Sequence, residues 1–280
     1  MAKPKPFPVG RVSIGGKRPA FILGPCVIES EKFVRRMAKK ITDTCAAEEV
    51  DFIFKASYDK ANRTSVRSFR GIGVREGCDI LADIGRELKI PVTTDVHSPA
   101  EAEIAGEKID MLQIPAFLCR QTDLLRVAAE TSRAINVKKG QFLAPWDMRH
   151  AAAKIASTGN ERILLCERGT SFGYNTLVVD MRALPIMAQT GYPVVFDATH
   201  SVAQPGGLGD RSGGQREFAP VLARAAAAVG VAAIFIETHR DPDHTTSAEG
   251  PTMMPLKALA SLLESLVAFD RLAKARPLIA

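Results

Sequence analysis

Residues 52–70 read FIFKASYDKANRTSVRSFR, and this stretch shows the pattern that decides the fold. Its first three residues, Phe52, Ile53 and Phe54, form a short apolar run of types that favour β-strands. The sequence then turns polar and cationic, with Lys60 and Arg63 among hydroxyl and amide side chains. Such a loop offers charge-assisted donors for an anion, although most clusters of this kind are solvated surface loops. The anion-binding interpretation gains weight because the same pattern recurs along the chain.

Eight β-like apolar runs follow one another, and each leads into polar residues. We predict strands at 21–23, 52–54, 92–94, 111–114, 135–137, 163–165, 194–196 and 233–236. Between them, apolar residues spaced by three and four predict helices. These helices cover 31–49, 74–89, 122–134, 148–157, 178–190, 215–229 and 255–275. A shorter helix is predicted at 99–106, with Ser98 as its N-cap.

Strands that alternate with helices in this number are typical of a (β/α)₈ TIM barrel. A doubly wound open sheet is the alternative, but that fold usually has fewer strands and a glycine-rich first turn. Here the first turn reads LGPCVIES and lacks the G-x-G-x-x-G pattern. Residues 7–18 predict a β-hairpin, in which Val9 and Val12 flank a turn. We expect a single barrel domain over 1–280, with residues 1–19 as an N-terminal hairpin extension.

The composition is that of a globular protein, with 46% hydrophobic and 24% charged residues in a chain of 280. No apolar run is long enough to span a bilayer, and the opening MAKPKPFPVG lacks the apolar core of a signal peptide. We therefore expect a cytoplasmic protein. Its five cysteines are scattered without a CxxC pair, which favours reduced thiols over a disulfide framework or a zinc ribbon.

The net charge of +6 permits nucleic-acid binding, but it suits an enzyme of phosphorylated acids equally well. The cations of interest sit singly at predicted strand ends and not along one helix, which favours the enzyme. The active site of a barrel lies where the carboxyl ends of its strands converge. Polar or metal-capable residues mark all eight ends: Cys26, Lys55, Asp95, Gln113, Lys138, Arg168, His200 and Glu237.

Two chemistries can be distinguished among these residues. One is a cationic pocket for a small acid with carboxylate and phosphate groups, formed by Lys55, Lys60, Gln113, Lys138 and Arg168. The other is a group of thiolate, imidazole and carboxylate, which are ligand types for zinc and similar divalent ions, at Cys26, His200 and Glu237. The alternatives are a space-filling Cys26 and, for the other two, a hydrogen-bonded pair or a salt bridge to a lysine.

Two further loops follow the seventh and eighth predicted strands, near the predicted active site, but contain none of the eight strand-end residues. Residues 204–216, QPGGLGDRSGGQR, predict a mobile lid, with a merely flexible loop as the alternative. Residues 240–250, RDPDHTTSAEG, contain four further candidates for a metal ligand, which are Asp241, Asp243, His244 and Glu249.

The chain resembles the 3-deoxy-D-manno-octulosonate 8-phosphate synthase family in several long motifs that occur in the same order. The most specific are FKASYDKANRTSVRSFRG, TDVHSPAEAE, LQIPAFLCRQTDLL, VKKGQFLAPWDM, LLCERGTSFGYNTLVVDMR, FDATHSVAQPGG and FIETHRDPD. The resemblance implies a transferase that condenses phosphoenolpyruvate with arabinose 5-phosphate and releases phosphate, towards the inner-core sugar of lipopolysaccharide. It also implies a TIM barrel with a hairpin underneath, usually assembled as a homotetramer.

The same resemblance implies roles for single residues. The phosphoenolpyruvate pocket would consist of Lys55, Ser57, Lys60, Gln113, Lys138 and Arg168. The pentose phosphate side would consist of Asn62, Arg63 and Thr64, with Asp95 near the sugar hydroxyls. The site of a neighbouring subunit would be reached by Phe117 and Arg120. The catalytic residues would be Lys60, Lys138, His200 and Cys26.

The family has a metal-independent branch, with Asn where this chain has Cys26, and a metal-dependent branch with Cys. The resemblance is to the second branch and implies a divalent ion, zinc, iron or manganese, held by Cys26, His200, Glu237 and an Asp that precedes a Gly. Here that dipeptide reads Glu-Gly and the loop is one residue longer, so Glu249 is the predicted fourth ligand.

The sister family of 3-deoxy-D-arabino-heptulosonate 7-phosphate synthases is the nearest alternative and uses erythrose 4-phosphate. Its loop is typically shorter, with Lys-Pro-Arg where this chain has KANR at residues 60–63, which favours the octulosonate prediction. A basic barrel that binds nucleic acid or scaffolds partners is an alternative of another class, but it has no need of metal-type ligands at strand ends. We therefore expect small-molecule substrates and no nucleic-acid or membrane partner.

Overall fold

The computed structural model describes residues 4–209, 212–247 and 249–276. Asp210 and Arg211 of the predicted lid, and Ala248 of the loop at 240–250, lie outside the described residues. The described part begins with the predicted hairpin, in which β1 (Phe7–Val9) pairs antiparallel with β2 (Val12–Ile14). Among the described residues, no helix combines the length and the apolar character needed to cross a membrane.

A closed barrel of parallel strands follows the hairpin. Its strands are β3 (Ala20–Gly24), β4 (Phe52–Lys55), β5 (Val92–Asp95), β6 (Met111–Ile114), β7 (Ala134–Lys138), β8 (Ile163–Glu167), β9 (Val194–Asp197) and β10 (Ala233–His239). Each pairs with the next, and β10 closes the barrel by pairing with β3 in the register Ile234↔Phe21. The (β/α)₈ prediction is therefore confirmed, and each predicted strand is present.

The helices form a layer around the barrel, one after each barrel strand. They are α1 (Glu31–Ala47), α2 (Val74–Leu88), α3 (Pro99–Gly106), α4 (Thr122–Glu130), α5 (Met148–Ala156), α6 (Ala183–Ala188), α7 (Ala219–Val229) and α8 (Leu259–Ala275). Local capping chemistry sets where they begin. The Ser98 side chain accepts from the backbone N–H of Glu101, as predicted for α3, and Ser30 caps α1 in the same way.

Alternating side chains of the strands divide the core into two layers. In β3, Phe21 and Leu23 pack towards the helices, whereas Ile22 packs inside the barrel. The inner layer also contains Val12 and Ile14 of the hairpin, which are fully buried. The same layer contains the first residues of several strands, such as Ala20, Met111 and Ala134. The hairpin therefore packs against the amino-terminal end of the barrel and closes it, and the carboxyl end stays open.

Several predicted helix bounds are wrong, each for a local reason. The helix predicted to 134 ends at Glu130, because Ala134 already pairs as the first residue of β7. The helix predicted from 178 starts at Ala183, because Leu177–Val178 pairs antiparallel with Thr170–Ser171. The last two helices start late because one-turn 3₁₀ helices, Arg216–Phe218 and Leu256–Ala258, precede them. The single-domain boundaries stay a prediction.

Candidate active site

A cavity of about 280 Å³ opens at the carboxyl ends of the barrel strands. Thirteen of the sequence-predicted residues line it: Lys55, Lys60, Asn62, Arg63, Thr64, Asp95, Gln113, Phe117, Lys138, Arg168, His200, Glu237 and Glu249. Two more lie directly behind this lining, since Ser57 donates a hydrogen bond to Asp95 and the Cys26 thiol donates one to Glu249. Arg120 is exposed and does not line the cavity of its own chain.

The predicted metal ligands meet at one side of this cavity. Ligand atoms of Cys26, Glu237 and Glu249 all lie within 4.8 Å of one another. His200 Nε2 lies 3.6 Å from Glu249 Oε2 and 3.9 Å from Glu237 Oε2. The Oε2 atom of Glu237 is buried and accepts no hydrogen bond from the described residues. A thiol, an imidazole and two carboxylates in this arrangement fit a divalent ion such as zinc.

Asp197 orients the His200 ring. Its Oδ2 lies 2.8 Å from His200 Nδ1, and its Oδ1 accepts the His200 backbone N–H at 2.9 Å. The ring therefore presents Nε2 to the two glutamates, as an outer carboxylate does for many metal-binding histidines. Burial alone would lower the pKa of His200, but the Asp197 and Glu237 carboxylates outweigh it and raise that pKa to about 9. Without a metal, the imidazole carries a proton at neutral pH.

The Cys26 thiol is also protonated in this metal-free arrangement. Burial, followed by the negative charges of Glu237 and Glu249, raises its pKa well above the usual range. The Sγ atom donates to Glu249 Oε2 at 2.8 Å. A metal takes thiolate and neutral imidazole as ligands, so loading of the site would release protons.

Two lysines, the buried Lys55 and the half-buried Lys60, pair with the glutamates of the predicted metal site. Lys55 Nζ lies 2.6 Å from Glu237 Oε1 and donates to the Cys26 carbonyl at 2.9 Å. Lys60 Nζ lies 2.9 Å from Glu249 Oε2. Burial disfavours the charged form of both lysines, but neighbouring anions outweigh it and raise both pKa values. Lys55 is thus paired within the acidic cluster, which consists of Cys26, His200, Glu237 and Glu249. Lys60 pairs with the same cluster and also lines the cavity.

Two arginines that line the cavity have buried donor atoms without partners. Arg168 is buried, and its Nη1 atom donates to no acceptor in the described part of the chain. The same holds for Arg63 Nε. Lys138 pairs with Asp197, and its Nζ lies 3.3 Å from the centroid of the Phe235 ring. Because a buried guanidinium without an acceptor is costly, these arginines are suited to receive an anion.

The Asp95 carboxylate, which also lines the cavity, is held in place by hydrogen bonds. It accepts from the Ser57 hydroxyl and the Gln113 amide, and Gln113 in turn accepts from Asn136 at 2.9 Å. Burial would raise the pKa of Asp95, but Lys55 and Lys60 outweigh it and hold that pKa below its usual value. The carboxylate is therefore ionised, and it can accept hydrogen bonds from hydroxyls.

Six polar lining residues were not predicted as site residues: Asp59, His97, Gln141, Asp197, Ser212 and Thr252. Asp197 has a readable signal, since it directly follows the apolar run of β9, whereas the prediction places the polar residue of this strand end at His200. Gln113 and Glu237 lie within their strands and not after them. Of the other loop candidates, Asp243 pairs with Arg216 and Asp241 pairs with His244, and neither lines the cavity.

A second cluster, Asp59, His97 and Glu101, also brings potential ligand atoms within 4.8 Å of one another. Its oxygens already have partners, however. Asp59 accepts two hydrogen bonds from Arg70 Nε and Nη2, and Glu101 Oε2 accepts from the Tyr58 hydroxyl at 2.8 Å. These contacts leave the cluster poorly suited to a metal.

Comparison with known proteins agrees with this geometry. The model of the DAHP synthetase I family matches residues 4–275. The chain belongs to this family. It is 62% identical over 268 residues to the 2-dehydro-3-deoxyphosphooctonate aldolase of Granulibacter bethesdensis, covering 95% of each chain. Proteins of the same name from Nitrobacter winogradskyi and Pelobacter propionicus are 58% and 57% identical, over 95% of this chain and 93% and 98% of theirs. The family resemblance seen in the motifs is therefore confirmed.

Proposed function

We propose that the protein condenses phosphoenolpyruvate with D-arabinose 5-phosphate and water to give 3-deoxy-D-manno-octulosonate 8-phosphate and phosphate. The observation that carries this proposal is one cavity in which arginine donors without partners face a thiol, imidazole and carboxylate cluster. The octonate name of the relatives supports the choice of sugar. The enzyme would be a transferase in lipopolysaccharide core biosynthesis. We place it in the cytoplasm, in line with its free cysteines.

Two anions must be held at once in this reaction. Lys138, Arg168 and Gln113 would bind phosphoenolpyruvate at the floor of the cavity, where their burial strengthens charge-assisted hydrogen bonds. Asn62, Arg63 and Thr64 belong to the loop after β4 and would bind the phosphate of the pentose at the opening. The ionised Asp95 would accept hydrogen bonds from sugar hydroxyls between them.

The acidic cluster would hold a divalent metal through Cys26, His200, Glu237 and Glu249. When bound, the ion would supply positive charge that activates the water or polarises and orients the aldehyde. The chain's own residues prepare this position. Asp197 fixes His200 by its Nδ1 atom, so that Nε2 is the free nitrogen. Despite burial, Lys60 lowers the pKa of Glu249 and so keeps it ionised, and Lys55 pairs with Glu237. A proton that leaves Cys26 Sγ or His200 Nε2 would exit to solvent through the open cavity.

We further propose a homotetramer in which Phe117 and Arg120 extend towards the site of a neighbour. Phe117 lines the cavity of its own chain yet is 54% exposed. Further exposed aromatic residues follow β7 and β8 at the same end of the barrel, at Phe142, Trp146 and Phe172. Exposed aromatic clusters of this kind are typical of protein interfaces.

The decisive experiment compares kcat/KM for arabinose 5-phosphate and erythrose 4-phosphate with phosphoenolpyruvate as partner. We expect a clear preference for the pentose phosphate. Erythrose 4-phosphate is the relevant competitor, because the description of the family names DAHP synthetase. Equal use of the two sugars, or preference for the shorter one, would overturn the assignment in favour of a heptulosonate-forming enzyme.

A further inference from the structure

A buried ion pair lies just outside the cavity lining. Lys139 follows β7 and Glu167 ends β8, and both side chains are about 1% exposed. Lys139 Nζ lies 3.6 Å from Glu167 Oε1. Neither residue lines the cavity, and the proposed reaction uses neither. A buried ion pair often stabilises a protein no better than well-packed apolar side chains, so its presence suggests a role other than stability.

Glu167 holds the backbone from which Arg168 projects. Its Oε1 atom accepts the backbone N–H of Arg168 at 3.0 Å and that of Gly169 at 2.7 Å. Gly169 has a φ of +94°, in the region that side-chain-bearing residues avoid. The chain therefore turns sharply directly after Arg168, and Glu167 stabilises this turn from behind.

Lys139 connects that turn to the loop after β7. Its Nζ atom donates to Thr170 Oγ1 at 3.0 Å and to the carbonyls of Gly169 and Leu143 at 3.4 and 3.3 Å. The backbone N–H of Ser171 adds a bond to the Gln141 carbonyl at 3.0 Å. The Lys139 ammonium group and this backbone bond thus fix the loops of Gln141 and Arg168 to one another.

We propose that Glu167, together with Lys139, is a positioning residue for Arg168. The inference rests on the proposed function, in which Arg168 binds phosphoenolpyruvate. The Arg168 side chain is long, and its Nη1 atom has no acceptor within the described ranges, so contacts inside the cavity do not fully fix it. The Glu167 hydrogen bonds instead fix its main chain, and Lys139 fixes the turn. The pair therefore acts on phosphoenolpyruvate through the backbone, without touching it.

The test uses two variants and a matched control. Lys139→Met/Glu167→Leu removes both buried charges, so that neither is left without its partner, and it removes the acceptor of the Arg168 and Gly169 N–H groups. Glu167→Gln keeps an oxygen that can accept both N–H groups. Glu161→Gln is the control, because Glu161 is exposed and lies before the other end of β8. Affinity for phosphoenolpyruvate alone is measured by isothermal titration calorimetry, and KM is measured for both substrates.

We expect the double variant to lose affinity for phosphoenolpyruvate by up to about 100-fold, the effect of a weakened hydrogen bond to a charged group. The KM for arabinose 5-phosphate should change much less, since Arg63 belongs to another loop. Glu167→Gln should retain most of the affinity, and Glu161→Gln should match the wild type. A crystal structure of the double variant should show a displaced Arg168 guanidinium.

A folded double variant with wild-type affinity would overturn the proposal, and so would equal loss for both substrates. If the double variant does not fold, Lys139→Met/Glu167→Gln decides with the same calorimetry, because it removes the Lys139 contacts to Gly169 and Thr170 and leaves no unpaired charge. A loss confined to phosphoenolpyruvate supports positioning, and no loss refutes it. Failure of the wild type to bind phosphoenolpyruvate would instead refute the proposed function. The position of Arg168 in crystals of the variants would then still decide the positioning role.

Discussion

At the scale of the residue, the cavity contains two kinds of cation: lysines that are paired with carboxylates and arginines that have nitrogens without partners. Lys55 and Lys60 are paired with the glutamates of the acidic cluster. Arg63 and Arg168 each have a buried nitrogen without an acceptor in the part of the chain that the structure describes. Substitution of a lysine should therefore disturb the metal ligands as well as the substrates, whereas substitution of an arginine should act on a substrate anion.

The two arginines should differ in the substrate that they affect. Arg168→Ala, like Lys138→Ala, should raise the KM for phosphoenolpyruvate, and Arg63→Ala should raise the KM for arabinose 5-phosphate. A hydrogen bond to a charged group contributes about 1.5–3 kcal/mol, so changes of roughly 10- to 100-fold are expected. Steady-state kinetics with each substrate varied in turn will measure them, with the exposed Arg149→Ala as control. The assignment fails if Arg63→Ala raises only the KM for phosphoenolpyruvate.

Activity should also depend on a divalent metal, because a thiol and an imidazole converge with two carboxylates. We expect chelation to remove both metal and activity, and re-addition of single metals to restore activity. Cys26→Asn should lose tight metal binding, as measured by elemental analysis. Full activity in a protein shown to be metal-free would refute the role of the metal. If Glu249→Ala keeps both metal and activity, only the fourth ligand is wrong.

At the scale of the element, the barrel was readable from the sequence, whereas its loops were not. Most barrel strands contain an apolar run that is buried on both faces, so their positions follow from composition. Loop geometry depends on contacts between distant segments. Ala203–Gln204 pairs with Gly213–Gly214, for example, and the described parts of the predicted lid form this ladder at their ends. Lid closure stays a prediction.

Arg216 connects this glycine-rich loop to the loop that carries Glu249. Its Nη2 donates to the Gly250 carbonyl at 2.7 Å, and the guanidinium pairs with Asp243 at 2.8 Å. We expect Arg216→Met to weaken metal affinity by about 10- to 100-fold, as loss of an outer contact does at other metal sites. Titration with Co²⁺, followed by the thiolate charge-transfer band, will measure this. Arg240→Met, at an exposed position after β10, is the control. Unchanged Co²⁺ affinity in Arg216→Met would contradict the coupling.

At the scale of the whole molecule, the site exists because barrel closure brings distant strand ends together. Cys26 and Glu249 are hydrogen-bonded although 223 residues separate them, and no spacing motif could have linked them. The barrel rule made their meeting predictable. The rule does not say which charged side chains pair with one another. The pairing of Lys55 with Glu237 and the role of Asp197 in orienting His200 could therefore be seen only in the structure.

The stability of the metal-free protein should depend on pH through His200. The pKa of His200 is raised from 6.5 to about 9 in the folded chain. A folded pKa above the unfolded value means that the stabilising contribution of His200 is complete below pH 6.5. It declines as the pH rises and is lost above about 9. The contribution amounts to about 3 kcal/mol, since one pKa unit corresponds to about 1.4 kcal/mol.

Chelated wild type and His200→Gln should therefore be unfolded with urea at several pH values. The other ionisable groups of the cluster remain in both proteins, so the change with pH of the difference between the two free energies of unfolding reports the histidine together with its effect on the pKa values of Asp197 and Glu249. We expect this difference to be largest near pH 6 and to shrink steadily up to pH 9. A difference that is constant, or that grows with pH, would show that Asp197 does not hold a protonated His200. At pH 8 the protein would then present a neutral imidazole to the metal, and metal binding would release a proton from Cys26 alone.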